Sequence, residues 1–197
     1  SQPHWETAVY AEDIWSYFVG TNPPPENWNQ LNFDTSGWST GQGGFGYADG
    51  DDNTVISSTL SVFFRKPFNV VSLEEILSLS IHADYDDGFV VYINGIEIFR
   101  SANMGEAGSQ VTHDQTADTD HEAVMHQGGT PEALVLHNND FDGVLISGDN
   151  VLAIEVHNVN TTSSDMSGLF YLSFELSDGV SYYGDTPEWF YLPDEFS

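Results

Sequence analysis

"ILSLSIHADYDDGFVVYINGIEIF", residues 76–99, decides the fold class. Its first nine residues alternate, with Leu77, Leu79, Ile81 and Ala83 on one face and Ser78, Ser80, His82 and Asp84 on the other. That period of two predicts a half-buried strand running into an acidic loop. "FVVYI" follows as a nearly continuous apolar run, then Asn94-Gly95, then "IEIF". An Asn-Gly pair between two β-rich runs is the strongest short-range signal for a hairpin.

The same alternation recurs on both sides. "NVLAIEVHN" (150–158) sets Leu152, Ile154 and Val156 against Ala153, Glu155 and His157. "FYLSFEL" (170–176) sets Phe170, Leu172, Phe174 and Leu176 against Tyr171, Ser173 and Glu175. "LSVFFRKPF" (60–68) is a further strand, and Pro67 within it predicts an edge or a bulge, because proline has no N–H for the ladder. "SLEEIL" (72–77) fits either one helical turn capped by Ser72, with Glu75 in the capping-box position, or a connection into the next strand; the connection is favoured. Residues 101–131 are polar, carry three of the seven histidines and read as a long excursion between strands, of the sort that often holds function. No internal repeat or interdomain linker is evident. The expectation is an N-terminal extension over 1–12 and a single domain over 13–197, all-β, folded as a two-sheet antiparallel β-sandwich.

Composition narrows the function. The 197 residues suffice for one sizeable core, and 40% apolar with 14% aromatic content is unlike a disordered acidic tail. No apolar run approaches the ~18 residues of a membrane span, and "SQPHWE" reads as the start of a mature chain rather than a signal peptide. Against 31 acidic residues stand only Arg65, Lys66 and Arg100, a formal net charge of −28. A field of that sign repels nucleic acid and anionic lipid and suits divalent cations or high salt. Cysteine is absent, so no disulfide framework exists. Strong acidity with many Asn, Gly, Ser and Thr fits a secreted or cell-surface protein, of a marine bacterium by composition.

Four stretches in order, "ENWNQLNFDTSGWSTGQGGFGYADGDDNT", "FFRKPFNV", "ADYDDGFVVYINGIEIFR" and "GDNVLAIEVHN", resemble the successive strands of galactose-binding-like jelly rolls. Such domains occur as carbohydrate-binding modules and as accessory domains of secreted bacterial enzymes. The third and fourth also resemble the sugar-binding jelly roll that precedes the barrel in many β-galactosidase-type enzymes. "SSDMSGLFYLSFEL" and "YYGDTPEWF" are similar to the end of a domain found in large secreted proteins of marine and gliding bacteria. The resemblance covers roughly residues 13–190 and implies a polysaccharide or oligosaccharide partner and a place within a larger multi-domain protein.

The resemblance also implies calcium. Asp49-Gly50-Asp51 followed by Thr54 resembles the D-G-x-x-x-T loop that holds a structural calcium in many such modules, and Glu175 matches by order the last-strand carboxylate that completes that site. Asp52 is an additional acid, so which aspartates ligate is open. The chemistry suits calcium, which takes ~6–8 oxygen ligands; the alternative is a solvated acidic turn. Asp86-Asp87-Gly88 is similar to a triplet that holds a sugar-bridging calcium in one class of bacterial and yeast adhesins, against the alternative of a tight turn whose aspartates accept backbone N–H bonds. Sugar recognition asks for aromatic faces beside planar hydrogen-bonding groups. Trp38, Tyr47, Tyr85 and Trp189 are the aromatic candidates, with Arg100, His157 and Asn158 as polar partners, while Trp15, Trp28 and Phe45 are assigned to the core.

No catalytic constellation emerges. The two histidines of "HEAVMH" are five apart, not the four of the zinc-protease helix, and solvation explains His113, His121 and His126 better than zinc does. No nucleophile elbow, phosphate loop or cysteine nucleophile is present. A non-catalytic binding module is expected, with a structural or protein-interaction domain as the alternative and a glycoside hydrolase or lyase domain as a distant third.

Overall fold

The computed structural model describes residues 2–47, 52–163 and 165–194. Twelve strands run in chain order: β1 (His4–Val9), β2 (Ile14–Val19), β3 (Ser39–Gln42), β4 (Phe45–Tyr47), β5 (Thr54–Val55), β6 (Ser61–Val70), β7 (Ile76–Asp86), β8 (Gly88–Ile93), β9 (Ile96–Arg100), β10 (Glu132–His137), β11 (Gly148–His157) and β12 (Met166–Leu176). They form two six-stranded sheets. One runs β10-β7-β12-β4-β5, with β1 also paired to β12; the other runs β3-β2-β6-β11-β8-β9. Pairing is antiparallel apart from β4 with β5. The expected two-sheet β-sandwich is what forms. Residues 1–12, read from the sequence as an extension, supply β1 to the first sheet.

The alternation builds the core. Leu79, Ile81 and Ala83 of β7 and Leu172, Phe174 and Leu176 of β12 meet Val91 and Ile93 of β8 and Leu152, Ile154 and Val156 of β11 in one buried cluster. Asn94 and Gly95 take φ of 52° and 82°, the two left-handed residues of a type I′ turn, and Ile93 pairs with Ile96 across it. Pro67 pairs with Val151 of β11 on one side, while the pairing of β6 with β2 runs only from Val62 to Arg65. The proline therefore sits where β6 has become an edge. Leu77 departs from its expected place: Ile76 is buried instead and Leu77 half-buried, because the register shifts between Glu175 and Leu176, which pair with Ser78 and Ile76. "SLEEIL" supplies a single 3₁₀ turn, Leu73–Glu75, with no side-chain cap from Ser72.

Both sheets are covered on their outer faces, which alternation alone does not forecast. His82 of β7, expected on a half-exposed face, is fully buried under Trp189, Phe190 and Tyr191, and the Tyr191 carbonyl accepts a hydrogen bond from its Nε2. Glu6 of β1 anchors this C-terminal cover by accepting the N–H groups of Tyr182 and Tyr183 at 2.8 and 2.7 Å and contacting His4 at 2.6 Å. On the second sheet, residues 20–38 bring Trp28, Phe33 and Trp38 over Phe18 and Phe63. Met104 and Ala117 of the 101–131 excursion pack on Val90.

Burial pushes the Glu6 carboxyl up, but the hydrogen bonds it accepts outweigh that and hold it at about 2, below its ordinary 4.5. A depressed carboxyl stabilises the fold above its unfolded value and loses that contribution as pH falls towards 2. We expect Glu6→Gln to lose about 2 kcal/mol at neutral pH, from hydrogen bonds to a charged group. Urea midpoints should show this deficit shrinking between pH 4.5 and 2.

Candidate functional site

Three aspartates in four positions at the β7–β8 junction have three different surroundings. Asp84 accepts the backbone N–H of Val124 at 2.8 Å and of Met125 at 3.0 Å. Asp87 accepts the N–H of His121 at 3.0 Å and of Val159 at 2.8 Å. These two carboxylates pin the 101–131 excursion and the end of β11 to the rim. Asp86 is different. It is 3% exposed, and one oxygen of its carboxylate lies within 4.8 Å of one from each of Glu122 and Asp165, which are themselves within that distance of each other. Burial, then Asp87, Asp165 and Glu122, push the Asp86 carboxyl far above the ordinary carboxylate range.

The donors at this rim suit a hard cation. Asp86, Glu122 and Asp165 offer carboxylate oxygens. Close by, Asp87 donates its N–H to the His157 carbonyl and accepts that of Val159, which brackets Asn158. Asn158 is 1% exposed, and its amide nitrogen bonds Tyr47 Oη at 2.7 Å and the Thr59 carbonyl at 3.0 Å. Its Oδ1 is buried without a hydrogen-bond partner among the described residues. Three clustered carboxylates are the kind of donor set that calcium or another oxygen-seeking ion takes, and a buried amide oxygen without a partner is a donor of the same kind.

The first acidic loop divides differently. Asp49 and Asp51 lie outside the described residues. Asp52 packs close against Gly46 of β4, and Thr54 in β5 donates its hydroxyl to the Gln42 carbonyl at 2.7 Å. Glu175 does not join them. Tyr47, at the mouth of that loop, pairs with Met166 at the start of β12, and Glu175 is nine residues further along, about 30 Å at the rise of a strand. There it accepts a hydrogen bond from Ser78. The residue that β12 brings to the acidic rim is Asp165, immediately before its first residue.

The seven sugar candidates do not converge. Trp38 packs half-buried among Phe18, Trp28 and Phe33. Tyr47 is buried and bonded to Asn158 and Thr59. Tyr85 stacks on His121 at 3.9 Å and 7° and donates to Glu132. Together with Asn103 and Asp118 this stack lines a small pocket of about 310 Å³ beside Asp87. Trp189 covers His82 and Tyr171 on the far sheet. Arg100 has a side chain only 3% exposed, paired with Glu97 at 2.5 Å and bonded to Met104 and Ser109. Trp15, Trp28 and Phe45 are buried, as assigned.

His157 belongs to a feature the sequence reading missed. A cleft of about 810 Å³ opens over the outer face of the second sheet, between walls from residues 23–29 and 108–113. Tyr92 and Glu155 line its floor. Tyr92 donates to Glu155 Oε2 at 2.9 Å, and Glu155 Oε1 meets His157 Nε2 at 2.6 Å. His157 Nδ1 in turn donates to the Gln115 carbonyl at 2.8 Å, so Nε2 and Oε1 hold a proton between them. This chain fixes Tyr92 as a half-buried ring at the bottom of a polar cleft. Its one sequence signal was Glu155 and His157 two apart on the polar face of "NVLAIEVHN".

No protein-family model and no curated protein matches the chain. Solved structures do. A β-glucuronidase from an uncultured Clostridium sp. matches with a TM-score of 0.54 and 13% identity over 89% of this chain and 30% of that one. A β-glucuronidase of Bacteroides uniformis matches at 0.53 and 14% over 87% and 18%, and a calcium-binding mutant of Bacteroides uniformis β-glucuronidase 2 at 0.50 and 14% over 87% and 18%. At such identities the likeness shows the fold. The chain is a β-sandwich of the kind that forms one part of these longer proteins, and it spans less than a third of their length.

We expect the acidic rim to behave oppositely at its two buried neighbours when calcium is chelated. Asp87→Ala leaves the N–H groups of His121 and Val159 without their acceptor and should cost about 2–4 kcal/mol. Asp86→Asn removes a carboxylate whose raised value makes ionisation unfavourable in the fold, so it should stabilise the metal-free protein. That gain should grow as pH rises from the ordinary carboxylate value of 3.8 towards about 9, because the unfolded chain releases the Asp86 proton over that range while the wild-type fold retains it. Thermal melts in chelator across pH check both.

Proposed function

We propose that this domain is a non-catalytic carbohydrate-binding module, stiffened by calcium, that works as part of a larger secreted or cell-surface protein. The observation that carries the reading is the polar cleft floored by Tyr92 and Glu155, with His157 buried behind Glu155. A half-buried aromatic ring lining a cleft beside fixed hydrogen-bonding groups suits the C–H face and hydroxyls of a sugar. The fold likeness to parts of β-glucuronidases, proteins that act on carbohydrate, supports a carbohydrate partner and a multi-domain setting. In that setting the module raises the local concentration of its attached partner at a polysaccharide. Nucleic acid and membrane insertion have no place in the reading: the charge is −28, and among the described residues no helix is long and apolar enough to cross a membrane.

Calcium is assigned to Asp86, Glu122 and Asp165, with the Asn158 amide oxygen as a further donor, rather than to a site completed by Glu175. A second reading, a structural or protein-interaction domain with calcium only stiffening the fold, is favoured by one fact. Most of the aromatic candidates pack against the protein itself.

Affinity gels with a panel of soluble polysaccharides separate the two. The binding module is retarded by at least one polymer, and Tyr92→Ala weakens that retardation. No retardation by any polymer favours the structural domain, and turnover of a polymer would make it an enzyme. Calcium at a hundredfold excess over its Kd should raise Tm by roughly 5–10 °C over chelator. Asp86→Asn should abolish that shift, and identical wild-type curves would remove calcium from the account.

A further inference from the structure

We propose that the cleft over β11 takes glycans without acidic groups and rejects uronate-bearing and sulfated ones, a proposal that rests on the carbohydrate-binding reading. An anionic sugar group in a protein site is met by a cationic side chain, and by arginine above all where the contact is bidentate. The whole chain has three such residues, and the fold commits each of them elsewhere.

Arg100 stands nearest. Its Nη2 is paired to Glu97 at 2.5 Å and also donates to the Ser109 carbonyl at 2.7 Å, while Nη1 is shared between the Met104 carbonyl and the Ser109 hydroxyl. With a side chain 3% exposed, it serves to tie the cleft wall at Ser109 to β9. Arg65 is 4% exposed and lies behind the opposite wall. Its Nη1 donates to the carbonyls of Trp28 and Gln30, and the Phe33 ring sits 5.2 Å from its guanidinium. Lys66 is the next residue of β6, pointing to the other face of the strand, and its Nζ donates to the Ile14 carbonyl at 3.1 Å. Releasing either arginine would strip buried carbonyls of their donors, at about 1–3 kcal/mol for each group left unpaired.

What the cleft does present is acceptor-rich and, at its floor, charge-compensated. Glu97 is matched by Arg100, and Glu155 shares a proton with His157. Glu26 at the lip is exposed and adds negative charge. His113, also on the wall, is the one titratable nitrogen that lines the space, and its carbonyl accepts a hydrogen bond from Ser61. The Glu26 carboxylate retains lone pairs for sugar hydroxyls, whereas a sugar carboxylate or sulfate would meet its like charge at the lip and a net −28 at longer range.

The test is affinity electrophoresis of the whole chain at about 150 mM salt, where long-range repulsion is screened and the site decides. The probes are a neutral panel (β-glucan, galactomannan, xyloglucan) and an acidic one (polygalacturonate, alginate, a sulfated galactan). We expect retention by a neutral polymer that Tyr92→Ala weakens at least about tenfold and the exposed-wall variant Gln110→Ala weakens measurably, with unchanged melting of the latter showing an intact fold. Retention by an acidic polymer that the same variants weaken would keep the carbohydrate reading and overturn this one. Retention by a neutral polymer that neither variant changes would place binding away from the cleft and likewise overturn it. No retention by any polymer would sink the carbohydrate reading itself.

Discussion

The rim of this sandwich depends on buried negative charge being answered. Carboxylates leave water only when something replaces its hydrogen bonds, and at the β7–β8 junction three do so within four residues. Asp84 and Asp87 are answered by four backbone N–H groups, and through those bonds the long polar excursion is fastened to the sheets. Asp86 faces further carboxylates instead, and a cation is the natural reply. The remaining architecture follows. With 101–131 pinned, residues 108–113 stand as one wall over the second sheet and residues 23–29 as the other, and the space between them is the cleft.

Three uses of the acids stand out among the described residues. Some accept backbone N–H groups and hold segments in place, as Glu6 does for the C-terminal cover. Some are paired with the few cations or with histidine, as Glu97 and Glu155 are. A third group clusters where a divalent ion fits. With both arginines tied to internal partners and Lys66 donating to a backbone carbonyl, few positive groups offset the net −28 that the protein carries. The metal proposed for the rim and the uncharged hydroxyls proposed for the cleft would both answer that one imbalance.

The fold was largely legible because its signals are local. Alternation in "ILSLSIHAD" and "NVLAIEVHN", the Asn94-Gly95 turn and the edge position of Pro67 each depend on a few neighbours. The site was much less so. Glu175 matched a family position by order, but order does not tell which end of a strand a residue occupies, and Asp165 at the opposite end of β12 is the acid that reaches the rim. Glu122 and Asp165 were hidden among 31 acidic residues. Trp38, Tyr85 and Trp189 had the right chemistry for sugar, yet second-layer packing by residues 20–38, 101–131 and 180–194 engages their faces, and such packing has no period to read. Glu155 and His157 showed only their spacing; the cleft above them exists because two distant loops stop short of each other.

The central claim is that a divalent cation neutralises Asp86 and its neighbours. Anomalous diffraction from crystals grown in calcium tests it most directly. The account predicts one ordered peak bonded to oxygens of Asp86, Glu122 and Asp165, with the Asn158 amide turned towards it. Density showing only water there, or a short carboxyl–carboxyl contact with Asp86 protonated, would contradict it.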